Sequence, residues 1–146
     1  LINVNGQPKV IEYNVRMGDP ETQVVLPRIK TDFMDILISC ANQSLDKVNL
    51  EFDSVYYSNV VLASSGYPEE YKKGFEISGF DEVKDSIIFH AGTSFDNDKI
   101  VTNGGRVLSV VSSGKTMNEA LNKSYKSIDK INFEGKTFRG DIGFDL

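Results

Sequence analysis

Apolar and polar residues alternate through Lys9-Val10-Ile11-Glu12-Tyr13-Asn14-Val15-Arg16. A strand there puts Ile11, Tyr13 and Val15 on one face and Glu12, Asn14 and Arg16 on the other. The apolar run Leu1-Ile2-Asn3-Val4 precedes it across Asn5-Gly6, and the two runs together predict a β-hairpin over residues 1–16. Asp19-Pro20-Glu21-Thr22 has the form of a helix start, with Asp19 as N-cap, Pro20 at the first helical position and Glu21 favoured by the helix dipole. Phe33, Ile36, Leu37, Cys40 and Ala41 then recur at helical spacing and predict a second, core-facing helix.

From residue 43 onward the pattern turns from helical to strand-rich, which places a domain boundary near that position. Strands are expected at residues 55–63, 75–80 and 87–90, with a loop over 64–74. Residues 99–102 and 106–111 read as a hairpin joined by Asn103-Gly104-Gly105. Thr116 and Glu119 form a capping box that opens a helix, whose apolar positions Met117, Ala120, Leu121, Ile128 and Ile131 should cover the sheet. A last strand pair is expected at residues 131–133 and 137–139. The fold class predicted is therefore α+β, a mainly antiparallel sheet flanked by helices.

With 146 residues, 40% of them hydrophobic and 25% charged, the chain has the composition of one ordinary globular domain or a domain plus part of another. Cys40 is the only cysteine, so no disulfide framework exists and a reducing, cytoplasmic compartment is expected. A net charge of −5 with scattered lysines argues against an extended nucleic-acid surface or an acidic membrane surface. No apolar run approaches the roughly 18 residues that span a bilayer, and the N-terminus lacks a secretory pattern. The chain starts without methionine on what reads as the interior of a strand, and is expected to be a piece of a longer polypeptide.

Glu12, Asn14 and Arg16 are the leading chemical candidates. A carboxylate and an amide oxygen two residues apart on one strand can both reach a hard cation, and a guanidinium beside them can hold a phosphate. The alternative is the solvated side of a half-buried strand. Asp19 can cap a helix or support the site from behind. Asn103, Gly104, Gly105 and Arg106 can form a loop whose backbone approaches a ligand while Arg106 grips a phosphate or carboxylate, or a plain hairpin turn. His90, the lone histidine, reads as a hydrogen-bonded structural residue, Cys40 as a buried inert thiol, and Tyr67, Pro68 and Tyr71 as loop-shaping residues.

The run from Glu12 to Gln23, Glu-Tyr-Asn-Val-Arg-Met-Gly-Asp-Pro-Glu-Thr-Gln, closely resembles the Glu-Phe-Asn-x-Arg-Phe-Gly-Asp-Pro-Glu-Thr-Gln signature of glycinamide ribonucleotide synthetases. Further matches follow in order at Ser65-Gly66-Tyr67-Pro68, Tyr71-Lys72-Lys73-Gly74, Phe89-His90-Ala91-Gly92-Thr93, Thr102-Asn103-Gly104-Gly105-Arg106-Val107-Leu108 and Phe138-Arg139-Gly140-Asp141-Ile142-Gly143. Met17 departs from the usual phenylalanine, and Ser64-Ser65-Gly66 departs from the usual Ser-Gly-Gly-Tyr-Pro loop.

The resemblance implies that residues 1–42 are the C-terminal segment of an ATP-grasp domain and residues 43–146 the C-terminal α+β domain of the synthetase. It implies that Glu12 and Asn14 are ligands to Mg²⁺ (or Mn²⁺) accompanying ATP, and that Arg16 lies beside the phosphates as a catalytic group. Asp19, Asn103, Gly104, Gly105 and Arg106 are the candidate substrate-binding residues. The implied reaction joins glycine to 5-phosphoribosylamine with ATP through a glycyl acyl phosphate, in de novo purine biosynthesis. That chemistry rests on positioning and charge neutralisation. The rest of the ATP site would be supplied by an N-terminal part of the same polypeptide, without which this chain is expected to be inactive. The C-terminal piece of another ATP-grasp ligase or carboxylase and a non-catalytic binding module of the same fold are the alternatives. Neither would be expected to carry the whole series of motifs.

Overall fold

A computed structural model describes residues 1–144. Its centre is a pair of long antiparallel strands, β3 (Tyr56–Ser64) and β7 (Arg106–Gly114), rich in the β-branched residues that suit a pleated surface. Their register runs from Tyr56 opposite Gly114 to Leu62 opposite Leu108. β4 (Ile87–His90) pairs with β7, and β8 (Lys136–Thr137) with the end of β3, giving an antiparallel sheet in the order β4-β7-β3-β8.

The helix α3 (Met117–Ile128) covers one face of this sheet. It begins as expected: Thr116 Oγ1 accepts from the Glu119 N–H at 3.1 Å, and Glu119 Oε2 accepts from the Lys115 N–H at 2.8 Å. Val60, Leu62, Leu108 and Val110 meet Ile128 and Ile131 in the buried core. A row of hydroxyls borders that core. Ser58 and Ser124 lie 2.8 Å apart, Ser124 and Ser112 2.9 Å, Ser112 and Ser86 2.7 Å, and Ser86 and Ser127 2.7 Å. Small hydroxyl side chains thus let helix and sheet approach while satisfying one another.

Several expected pairings differ. β6 (Lys99–Thr102) does not form a hairpin with β7; it pairs with β5 (Thr93–Asp96), turned by Asn97 and Asp98 with φ of 46° and 64°. Two consecutive positive-φ residues match the right-handed twist of a tight hairpin, and Asn and Asp tolerate that conformation better than other side chains. Asn103-Gly104-Gly105 therefore links one sheet to another. The strand expected over residues 75–80 reduces to isolated bridges, Glu76 with Val101 and Ser78 with Asn132, and ends at Gly79, whose φ of 91° leads into a 3-10 helix at Phe80–Glu82. Consequently residues 131–133 and 137–139 do not pair with each other: Asn132 bridges Ser78, while Thr137 opposes Ala63.

The first part of the chain is organised differently. β1 (Ile2–Val4) and β2 (Gln7–Lys9) form a hairpin at the expected turn, with Asn5 and Gly6 at φ of 52° and 81°, but its second strand is Gln7–Lys9 and not the expected run from Lys9 to Arg16. Residues 10–16 are not a strand, because no neighbouring segment among the described residues offers them a ladder. Tyr13 is 85% and Val15 98% exposed, so the expected core face is uncovered here. α1 (Thr22–Val25) is short as expected, but its N-cap is Glu21 rather than Asp19. α2 (Phe33–Ala41) starts at Asp32, whose carboxylate accepts from Met34 N–H, yet Phe33, Met34, Leu37 and Ile38 are exposed. Its apolar face does not reach the core, and Cys40 is exposed rather than buried. Among the described residues, every buried side chain lies between Ser58 and Phe133.

Candidate functional site

Glu12, Asn14 and Arg16 form a linked row. Asn14 Nδ2 donates to Glu12 Oε1 at 3.3 Å, and Arg16 Nη1 donates to Asn14 Oδ1 at 3.1 Å and to the Met17 carbonyl at 3.0 Å. Spacing by two brings the three side chains to one side of the segment even without a strand ladder. The row is exposed, and its donors are the hard oxygens that Mg²⁺ prefers. Glu12 and Asn14 therefore fit the cation as part of a coordination shell. Two side-chain oxygens do not make a complete one.

Gly18 and Thr22 anchor the next turn: Thr22 N–H donates to the Gly18 carbonyl at 2.9 Å and the Thr22 hydroxyl donates to the same oxygen. Asp19 is drawn toward the sheet instead of capping α1. Arg106 Nη2 meets Asp19 Oδ2 at 2.8 Å, and Nη1 donates to the Asp19 carbonyl at 3.0 Å. Two candidate residues 87 positions apart in the chain are thus in direct contact. Two further residues, not singled out in the sequence, hold the same point. Gln23 Nε2 donates to Asp19 Oδ1 at 3.1 Å and Asn59 Nδ2 to the Pro20 carbonyl at 2.9 Å. Gln23 could have been found from its i, i+4 spacing to Asp19, and Asn59 as an amide in the middle of an apolar strand.

The Asn103-Gly104-Gly105 link is packed backbone to backbone. Asn103 N–H donates to the Gly92 carbonyl at 2.7 Å, and a Cβ on Gly92 would stand 2.5 Å from Gly104 Cα. The Ser64 hydroxyl donates to the Gly104 carbonyl at 2.9 Å, and Ser64 N–H to the Gly105 carbonyl at 2.8 Å. These glycines are required for close approach of protein segments, whereas Asn103 itself remains exposed. Beside them a cavity of about 620 Å³ opens between Ser64-Ser65-Gly66, Tyr71-Lys72 and Glu134-Gly135. His90 has the structural surroundings expected of it: its ring stacks on Phe80 at 5.4 Å between centroids, and Nδ1 lies 3.1 Å from the Thr93 hydroxyl. In the last motif Arg139 grips both carboxylate oxygens of Asp141, at 2.9 and 2.8 Å, and holds that carboxyl below its usual range.

Among the described residues, no helix is long and apolar enough to cross a membrane. Residues 57–145 match the family model for the C domain of phosphoribosylglycinamide synthetase. The chain is 50% identical over 135 residues to a phosphoribosylamine–glycine ligase of Caldanaerobacter subterraneus, covering 92% of this chain and 32% of that protein. It is 44% identical over 144 residues to a bifunctional purine biosynthetic protein of Pichia angusta, covering 97% of this chain and 18% of the relative. The crystal structure of phosphoribosylamine–glycine ligase from Thermotoga maritima superposes with a TM-score of 0.75 at 37% identity, over 94% of this chain and 34% of that one. The chain thus spans about a third of the ligases it matches, and less of the bifunctional relative. Its mixed α/β fold with antiparallel sheets agrees with that neighbour, and on this evidence the chain belongs to the phosphoribosylglycinamide synthetase C-domain family.

Proposed function

We propose that this chain is the C-terminal portion of a phosphoribosylamine–glycine ligase, joining glycine to 5-phosphoribosylamine with ATP through a glycyl acyl phosphate. The observation that carries the reading is the Glu12–Asn14–Arg16 row, hydrogen-bonded in sequence, on a chain whose relatives bear that ligase name. Residues 1–42 act as the end of the ATP-grasp domain and residues 43–146 as the C-terminal domain. Glu12 and Asn14 hold Mg²⁺ (or Mn²⁺), which when bound neutralises phosphate charge. Arg16 presents its remaining N–H groups to a phosphate of ATP, a role suited to a planar, permanently charged fork. Asn103, Gly104 and Gly105 supply a rigid backbone edge beside the substrates, with the rest of the ATP site coming from the upstream portion of the same polypeptide. The protein is cytoplasmic, in keeping with purine biosynthesis.

The test is glycine-dependent phosphate release by the full-length protein, supplied with ATP, Mg²⁺ and phosphoribosylamine, beside a Glu12→Ala, Asn14→Ala double variant. Turnover that requires glycine and is lost in the variant is expected. ATP binding with no response to glycine would overturn the assignment of substrate.

A further inference from the structure

The row that carries Glu12, Asn14 and Arg16 has no strand partner among the described residues, and its ties to the rest of those residues run along the chain. Only Met17 and Gly18 separate Arg16 from Asp19. Asp19 is held at two points by Arg106, the first residue of the central strand β7: side chain to side chain at 2.8 Å and side chain to backbone at 3.0 Å. Asn59, on the neighbouring strand β3, holds the next carbonyl at 2.9 Å. Among the described residues, Gln23 Oε1 and Asn59 Oδ1 are buried and find no hydrogen-bond partner. An unsatisfied buried acceptor costs stability, so the fold tolerates that cost where both amide NH₂ groups secure residues 19–20. Toward the row, Arg16 bonds the Met17 carbonyl and Asn14, and Asn14 bonds Glu12. Hydrogen bonds at Asp19 and Pro20 on one side and at Met17 on the other are thus joined by the short backbone link through Gly18.

We propose that Arg106 and Asp19 are a positioning pair, which fixes Glu12, Asn14 and Arg16 against the rigid sheet instead of touching substrate. The inference rests on the ligase reading above. Both terminal nitrogens of Arg106 are engaged by Asp19, and the pair is partly exposed, with side chains 38% and 50% accessible. A pair so placed adds little to stability. Its effect falls on turnover, since a displacement of about 1 Å at a reacting group costs on the order of 100-fold.

The full-length protein is assayed as wild type, Arg106→Gln, Asp19→Asn and the double variant, following glycine-dependent phosphate release against Mg²⁺, ATP and phosphoribosylamine. Amide hydrogen exchange over residues 10–18 is measured in parallel. Each single variant is expected to lower kcat by about 10- to 100-fold and to raise the Mg²⁺ requirement, with KM for phosphoribosylamine little changed. The double variant should be no worse than either single one, exchange over residues 10–18 should quicken in all three, and Arg106→Lys should recover part of the turnover. A raised KM for phosphoribosylamine at unchanged kcat in Arg106→Gln, with Asp19→Asn silent, would overturn the proposal and make Arg106 a substrate contact. If the wild type itself shows no glycine-dependent release, the ligase reading fails while the pair is still judged by exchange: quickened exchange supports it and unchanged exchange overturns it.

Discussion

The Tyr67 ring lies against Gly105 so closely that a Cβ on the glycine would stand 2.0 Å from ring Cδ2. The Gly104 and Gly105 carbonyls accept from the Ser64 hydroxyl and N–H, so the contact joins the loop after β3 to the start of β7. Gly105 is buried, which leaves an added methyl nowhere to go. Gly105→Ala is expected to destabilise the protein by about 1–3 kcal/mol through overpacking. Adding Tyr67→Ala should return part of that loss, and chemical denaturation of the two variants measures it.

Buried hydroxyls between helix and sheet make a second prediction. Ser124 is fully buried, contacts both Ser58 and Ser112, and donates weakly toward the Val110 carbonyl at 3.4 Å. Ser124→Ala leaves its neighbours short of a partner and should cost roughly 1–3 kcal/mol. Ser124→Val adds bulk where α3 meets β7 and should cost more. Equal midpoints for wild type and Ser124→Ala in urea would show that the row contributes nothing.

The start of α3 predicts an acid-side response. Hydrogen bonding to Lys123, and then the Lys115 N–H, hold the Glu119 carboxyl below its ordinary value of 4.5. A lowered folded-state value means the stabilisation is present above pH 4.5 and disappears as pH falls through the lower, folded value. Glu119→Gln should therefore lie below wild type in melting temperature at neutral pH and converge with it in acid. A gap that persists unchanged below pH 3 would contradict the assignment.

Local chemistry in the chain was legible wherever a short segment carried its own cause. Asn5-Gly6 turned a hairpin, Thr116 with Glu119 opened a helix, and the β-branched run through Val60 and Val61 formed a strand. The order Glu12, Asn14, Arg16 set those side chains on one side and produced the hydrogen-bonded row. Asp19 shows where such reasoning stops. Its position before proline fits a helix cap, but the helix of four residues begins at Thr22 with Glu21 as N-cap, and the Asp19 carboxylate, lying before that cap, pairs with the Arg106 guanidinium.

By itself the sequence determined the Asn5-Gly6 turn, the capped start of α3, the chemical character of the row and the family motifs, because each depends on residues within a few positions of one another. Only the tertiary structure decided that β6 pairs with β5 and not β7, that Gly104 and Gly105 serve close packing rather than a hairpin, and that Arg106 reaches Asp19. Those outcomes turn on which distant segments share the limited space around the sheet. A strand or a charge signals its readiness to pair locally, while its partner is chosen by the packing of the whole fold.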